Sequence, residues 1–584
     1  MKKINISEKQ MKIITIVVVA LAFIASIRSD FAPPDAIATT DGRPTITPTP
    51  TPTPSGEPTP TPSSSSEELD TEPTPMEPEP EPPPHLATLF FPHSIEETDP
   101  NNARLGYTYD IMVNGEIVTE YQRDESIFFG LPNEYTAHHG VTTYRSNNFR
   151  DGASWGTVNI VEENLDIAWS IGIGSMGGWS GVGWNGQPAI VRWDEETRRL
   201  MNLYPDKKEK NGLVEVICVA LDGYIRFLDL DDGTPTRDPI SIRNPMKSSA
   251  TVDPRGYPLL YFGEGVALNP PLGFHIYSLI DCQELFFHSG VDDFSYRFWR
   301  SFDSNALIDE TTDTLVVPGE NGILYTMKLN TVYDREAGTI SVDPDIVRFR
   351  YRTSLHSELG NESSVTAFAN YVFITDNSGF VQCIDLNTMT PVWIRDCTDD
   401  TDGPPMLDLE EDGSLSLYTA CEVDKQGPGG RSYIRKLDAA TGELLWEHSY
   451  TCLYDPDVAG GVLGGPIIGR GNLEGSVIYQ VGKVTGGQGS GLLVRFDKMT
   501  GEIIWETYFT SYGWCSPVAI YTEDGRGYIV SFDASGNVFL VDGRTGAVVG
   551  RTSVGSNVEA SPAVFGNRIV VGTRGARIFC IEIS

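Results

Sequence analysis

The sequence predicts an all-β fold, an eight-bladed β-propeller of four-stranded antiparallel blades, and three observations carry that expectation. First, one hairpin pattern recurs near the C-terminus, as Arg435–Trp446, Arg495–Trp505 and Leu540–Gly550, with a more divergent copy at Cys383–Trp393. Each reads as strand, Asp-rich turn ending in Gly, strand, often with a closing Trp. A hairpin repeating about every 50 residues marks a repeat architecture. Second, a small residue or Pro opens an apolar strand eight times, at Gln187, Ser249, Asn305, Ser364, Pro404, Gly465, Ser516 and Ser561. Small openings suit the place where inner strands converge on a central channel. Third, the last copy runs out at Ser584 after three strands. Its fourth strand is available between Thr157 and Ser170, which closes the ring and leaves no free edge.

Taken in chain order, Lys2, Lys3, Lys9 and Lys12 precede an uncharged apolar run from Ile13 to Ile27, closed by Arg28 and Asp30. The pattern predicts a transmembrane signal anchor over 13–30, with residues 1–12 cytoplasmic and the remainder outside. A cleaved signal peptide is the alternative. Residues 31–85 carry Thr-Pro repeats, four consecutive serines and Glu-Pro repeats. Such a tract cannot bury apolar surface, so it is expected to be a disordered, extended stalk. Residues 86–139 hold Tyr109–Val113 and Glu116–Tyr121 around Asn114-Gly115, a type I′ hairpin signal expected to form an accessory hairpin on the propeller. Residues 140–584 make the propeller, at about 55 residues per blade.

A formal net charge of -37 repels phosphate backbones, which excludes nucleic acid as a partner. The eight cysteines are scattered, with no CxxC and no adjacent pair. Cys383 and Cys397 are the one disulfide candidate, facing each other across a hairpin. The His residues show no HxH or HxxxH ligand spacing, and no GxSxG, P-loop or GxGxxG motif stands in a strand–helix context. Asp408–Ser414 imitates a Ca²⁺ loop, but a Glu stands at its third position and the later Glu ligand is missing, so it is read as a turn.

The Leu-Asp-x-x-Thr-Gly-x-x-x-Trp copies resemble the pyrroloquinoline-quinone (PQQ) repeat. That repeat is shared by quinoprotein dehydrogenases and a non-enzymatic outer-membrane assembly lipoprotein. The resemblance implies that Trp446 and Trp505 are structural, packing between neighbouring blades. It also implies that the enzymes stack PQQ on a disulfide of adjacent cysteines and a Trp, hold Ca²⁺ with Glu and Asn, and use an Asp base. This chain lacks the adjacent cysteines and an identifiable ligand set, so the non-enzymatic branch is nearer. No catalytic residue, metal ligand or cofactor is assigned, and PQQ and Ca²⁺ are not expected. The anchor and stalk differ from the lipidated context of that branch and resemble Gram-positive surface stalks.

Loops joining an outer strand to the next inner strand, and the second strand to the third, share one face. Placed there, they gather Trp179 and Trp184 in the Gly-rich 172–186 stretch, Tyr296, Trp299 and Arg300 after Asp292-Asp293, Tyr454, and Trp514. Aromatics over a channel mouth suit a sugar or peptide ligand, and loop packing on the accessory hairpin is the competing reading. The expected function is a membrane-anchored, extracytoplasmic binding or scaffold module for an envelope protein, peptide or polysaccharide. The alternative is an envelope enzyme on the same face, either quinoprotein-like or carbohydrate-active, using carboxylates such as Asp292, Asp293 or Asp303. A carboxylate pair in the mouth would favour the enzyme, and a mouth without convergent acids the scaffold.

Overall fold

The structure is a computed structural model and describes residues 89–584, apart from 185, 358 and 457. The anchor expected at 13–30 and the stalk at 31–85 lie outside the described residues. Among the described residues no helix is long and apolar enough to cross a membrane.

Eight antiparallel sheets follow one another along the chain, each counted here as one blade from the inside out. Their inner strands begin at Ala189, Thr251, Leu307, Thr366, Met406, Ile467, Val518 and Ala563. Every one starts two residues after an opening read from the sequence. Blade 8 is completed from the N-terminal side: Leu165–Gly172 pairs antiparallel with Arg577–Ile583, so the ring closes. Several blades exceed four strands. His139–Val141 adds to the inner edge of blade 1, and Ser154–Trp155 runs parallel to the inner strand of blade 8. The Asn114-Gly115 hairpin forms with both residues at positive φ, as a type I′ turn requires. Its strand Thr108–Val113 pairs with Asp345–Arg352, so the hairpin extends blade 3 outward to six strands.

The repeat motif explains how neighbouring blades dock. In the three close copies the Asp carboxylate accepts from the backbone N–H and hydroxyl of the Thr three residues on, at Asp438–Thr441, Asp497–Thr500 and Asp542–Thr545. That closes the turn and forces the next residue to positive φ, where Gly costs least. The bare Gly then receives an indole from the preceding blade. Trp446 of blade 5 lies against Gly501 of blade 6, where an added Cβ would stand 2.8 Å from the ring. Its Nε1 donates to the Lys498 carbonyl at 3.0 Å. The same arrangement links Trp393 to Gly442 and Trp505 to Gly546. Trp169 on the closing strand lies against Gly233 of blade 1, so the seam uses the repeat contact too.

The channel is not open along its length. Residues 142–153 enter it and hydrogen-bond inner strands around the ring: Val252 N–H donates to Thr142, Ala367 to Asn148, Leu407 to Phe149 and Val564 to Ala153. Arg145 and Arg150 are buried at its centre. Arg150 donates to the carbonyls of Tyr144, Asn305 and Val365 at 2.7–2.9 Å and to the Thr143 hydroxyl. Arg145 donates to the carbonyls of Arg150, Pro466 and Pro517. Neither has a carboxylate among these partners, and both hold positive φ, so three-dimensional packing pins the segment.

The candidate disulfide is corrected by the register. Trp393, not Cys397, stands opposite Cys383, and Cys397 follows the Phe380–Asp396 pair three residues away. All eight cysteines are free thiols.

Candidate functional site

The openings form a belt around one end of the channel. The backbone N–H of Gln187 donates to Ser249 Oγ, Ser249 to Asn305 Oδ1, Asn305 to Ser364 Oγ, Gly465 to Ser516 Oγ and Ser516 to Ser561 Oγ, all at 2.7–3.0 Å. Small polar residues suit these positions because each side chain must reach the preceding blade's backbone. Two residues before each opening lies a second register position. In blades 2 to 5 it is charged: Lys247, Asp303, Glu362 and Asp402. Loops between second and third strands add Glu320 from blade 3 and Glu422 from blade 5.

These residues converge into an acidic well. Asp400, Asp402 and Glu422 place carboxylate oxygens within 4.8 Å of one another. Asp399 holds the two contributing loops together, accepting from the backbone N–H groups of Asp424, Lys425 and Gln426, while Glu422 N–H donates to the Asp400 carbonyl at 2.9 Å. Asp400 Oδ2 faces Lys425 Nζ at 3.2 Å and Asn377 Nδ2 at 3.4 Å, whereas its Oδ1 is buried with no hydrogen-bond partner. Asn377 also donates to Glu362 at 2.9 Å. Lys247 pairs with Asp303 at 3.0 Å, and Arg297 approaches Glu320 at 3.9 Å. Six carboxylates therefore share three nearby cations.

Burial first, then mutual repulsion, pushes the Asp402 and Glu422 carboxyls well above the ordinary carboxylate range; Asp400 is raised by burial and by Glu362 against the pull of Lys425. Glu320 is raised likewise, while Lys247, a hydrogen bond from Glu320 and one from Asn377 hold Glu362 low despite its burial. Of the two, Glu320 is the more readily protonated.

The residues singled out from the sequence separate into two groups. Trp184, half-buried, donates to the Leu463 carbonyl at 3.3 Å, so the loop before blade 1 reaches the loop before blade 6. Trp514 stands in the same register as Lys247 and Asp303, 5.5 Å from the Tyr512 ring. Tyr454 packs on the core between blades 5 and 6, and Trp179 lies under the Arg574 guanidinium. On the other side, the Tyr296 hydroxyl donates to Asp110 of the accessory hairpin at 2.8 Å, under Arg350. That contact is the loop-packing reading. Arg300 is exposed, Trp299 is 59% exposed and Phe298 is 90% exposed. Of the proposed acids, Asp303 joins the well, while Asp292 pairs with Arg348 and Asp293 faces solvent.

The Ca²⁺-like stretch 408–414 is a hairpin turn. Glu410 N–H donates to Ser414, and Asp408 and Glu410 pair with Lys436 and Lys498. The acids that do converge are spread over residues 303 to 422, too far apart in sequence to form a local motif. The signal that finds three of them, Asp303, Glu362 and Asp402, is the charge two residues before an opening, visible once the repeats are aligned on their inner strands.

The family model described as outer membrane protein assembly factor BamB matches residues 430–536. The repeats are of the PQQ type. Among curated proteins, the dehydrogenase subunit of the quinone-dependent alcohol dehydrogenase of Gluconobacter oxydans (strain 621H) is 32% identical over 146 residues, 22% of this chain and 18% of that enzyme. Among solved structures, BamB from Moraxella catarrhalis gives a TM-score of 0.44 at 17% identity, covering 72% of this chain and 97% of BamB. The computationally designed Ika8 protein gives 0.42 at 14% identity, covering 69% of this chain and all of Ika8.

The mouth does not fit the cofactor of the dehydrogenases that share the repeat. Stacking PQQ on a vicinal disulfide needs neighbouring cysteines, and none of the eight is adjacent to another. PQQ is also a tricarboxylate, and it would meet six carboxylates already short of cations.

Proposed function

We propose that this protein is a non-catalytic binding module, anchored in the cell membrane by its N-terminal apolar run and presenting the loop face of its propeller outside it. The partner is an envelope protein that offers a basic segment. The observation that carries this is the Val291–Arg300 loop, which holds Phe298 and Trp299 exposed beside an acidic well. Large exposed aromatics mark protein-binding surfaces, and the well's charge selects cationic groups. The likeness to BamB, named as an assembly factor, agrees with a protein-binding role. Lys2, Lys3, Lys9 and Lys12 ahead of Ile13–Ile27 support the anchor and its orientation.

Convergent acids are the one feature that favours an enzyme. Glycoside cleavage needs two carboxyl groups about 5–5.5 Å or 6.5–9.5 Å apart on either side of the bond. Here Asp400, Asp402 and Glu422 crowd more closely, within 4.8 Å of one another. Reconstitution tests the choice. Full-length protein incubated with PQQ and Ca²⁺ is expected to show no dye reduction with alcohols or sugars, and no rise in melting temperature beyond that with Ca²⁺ alone. Dye reduction at a turnover typical of enzymes would replace this reading with the oxidoreductase.

A further inference from the structure

The crowding of Asp400, Asp402 and Glu422 raises the question of what balances them. Asp400 and Glu422 are each 7% exposed. Lys425 and Asn377 hold Asp400 by Oδ2, which leaves Oδ1 buried, unpartnered and fixed in direction. Lys247 and Arg297, the other nearby cations, are engaged by Asp303, Asn377 and Glu320. Asp402 beside them is half-buried, and crowding three carboxylates out of bulk water is costly unless a proton or a cation joins them.

We infer that Asp400, Asp402 and Glu422 form a divalent-cation site, of a size and hardness suited to Ca²⁺, at the mouth of the propeller. All-oxygen ligands select hard cations. Two oxygens that each bind Ca²⁺ at about 2.4 Å can stand up to about 4.8 Å apart, whereas Mg²⁺, at about 2.1 Å, spans only about 4.2 Å. Three oxygens within 4.8 Å of one another stand near enough for a small side-chain shift to bring all of them onto one Ca²⁺, and Mg²⁺ demands a larger shift. Asp400 is preset by its second oxygen, a positioning contact of the kind that metal ligands receive from surrounding groups. The cation would also tie the loop before blade 5 to the loop within it, the same two segments that Asp399 joins from below. The site does not depend on what the face binds.

The test is calorimetric titration of the full-length protein, stripped with chelator, with CaCl₂ and separately MgCl₂ in 150 mM salt, paired with thermal melts. One Ca²⁺ per chain should bind, with Mg²⁺ at least tenfold weaker, and Ca²⁺ should raise the melting temperature. The Asp402→Asn/Glu422→Gln variant should lose Ca²⁺ affinity at least tenfold. Without metal it should melt above the wild type, because the repulsion is gone. That crossover distinguishes a lost site from a damaged fold. Absence of binding at millimolar Ca²⁺, or equal binding by the variant, which would place the ions diffusely on the acidic surface, overturns the site. Mg²⁺ binding as tight as Ca²⁺ overturns the assignment of cation size.

Discussion

Trp446→Ala lowers the stability of the propeller by about 3–5 kcal/mol, read as a fall in the denaturant midpoint at unchanged slope. The indole is 9% exposed and bridges two blades, packing on Tyr418 and Phe496 and donating to the Lys498 carbonyl. Alanine leaves a cavity where two sheets meet, and it removes one of the two donors to the Lys498 carbonyl, which keeps Lys436 Nζ at 2.9 Å. The complementary change, Gly501→Ala, reaches the same contact from the other blade. It adds a Cβ 2.8 Å from the indole at a φ of 72°, so it is destabilising through both clash and backbone strain. If the two residues form one contact, the double variant costs less than the sum of the singles. Strict additivity, or a loss below about 1 kcal/mol for Trp446→Ala, would refute the docking role.

Arg150→Met is expected to cost about 2–4 kcal/mol, although it removes a buried charge and nearly preserves volume. Burial alone disfavours the guanidinium and pulls its pKa down to about 10. Its hydrogen bonds reach carbonyls of blade 3, blade 4 and its own loop. Methionine leaves those carbonyls buried and unpaired. Arg150→Lys keeps a charge but replaces the planar fork with a single head, so it should fall between wild type and Met. The measurement is again the chemical denaturation midpoint. A neutral or stabilising Met variant would mean that the channel relaxes around the segment, and the segment would then not be a structural plug.

The ring was legible because its determinants are local. Asp, Thr and Gly make a turn within a few residues, and the opening residues recur at each inner strand, so periodicity alone counts eight blades. The closing strand near Trp169 was legible for the same reason, as the missing part of an unfinished repeat. The plug was not. Residues 142–153 have no strand period, and Arg145 and Arg150 read as ordinary exposed arginines until eight blades surround them. The acidic well was half legible. Its members lie on separate blades, and only the shared register two residues before Ser249, Asn305, Ser364 and Pro404 connects them. Trp514 was found for its aromatic ring, yet it occupies that same register. Tyr296 was found by the same reasoning and belongs to the packing of the accessory hairpin, because a loop's composition does not tell which neighbour will cover it.

The most direct test of a binding loop face is site-specific photocrosslinking in intact cells. A photoreactive residue would replace Phe298, 90% exposed on the loop face, or Met499, 71% exposed in a turn at the opposite end of its blade. The account predicts one discrete membrane-fraction adduct from position 298, lost when Asp402 and Glu422 are neutralised, and none from position 499. An adduct from 499 alone, or one from 298 indifferent to the charge of the well, would contradict it.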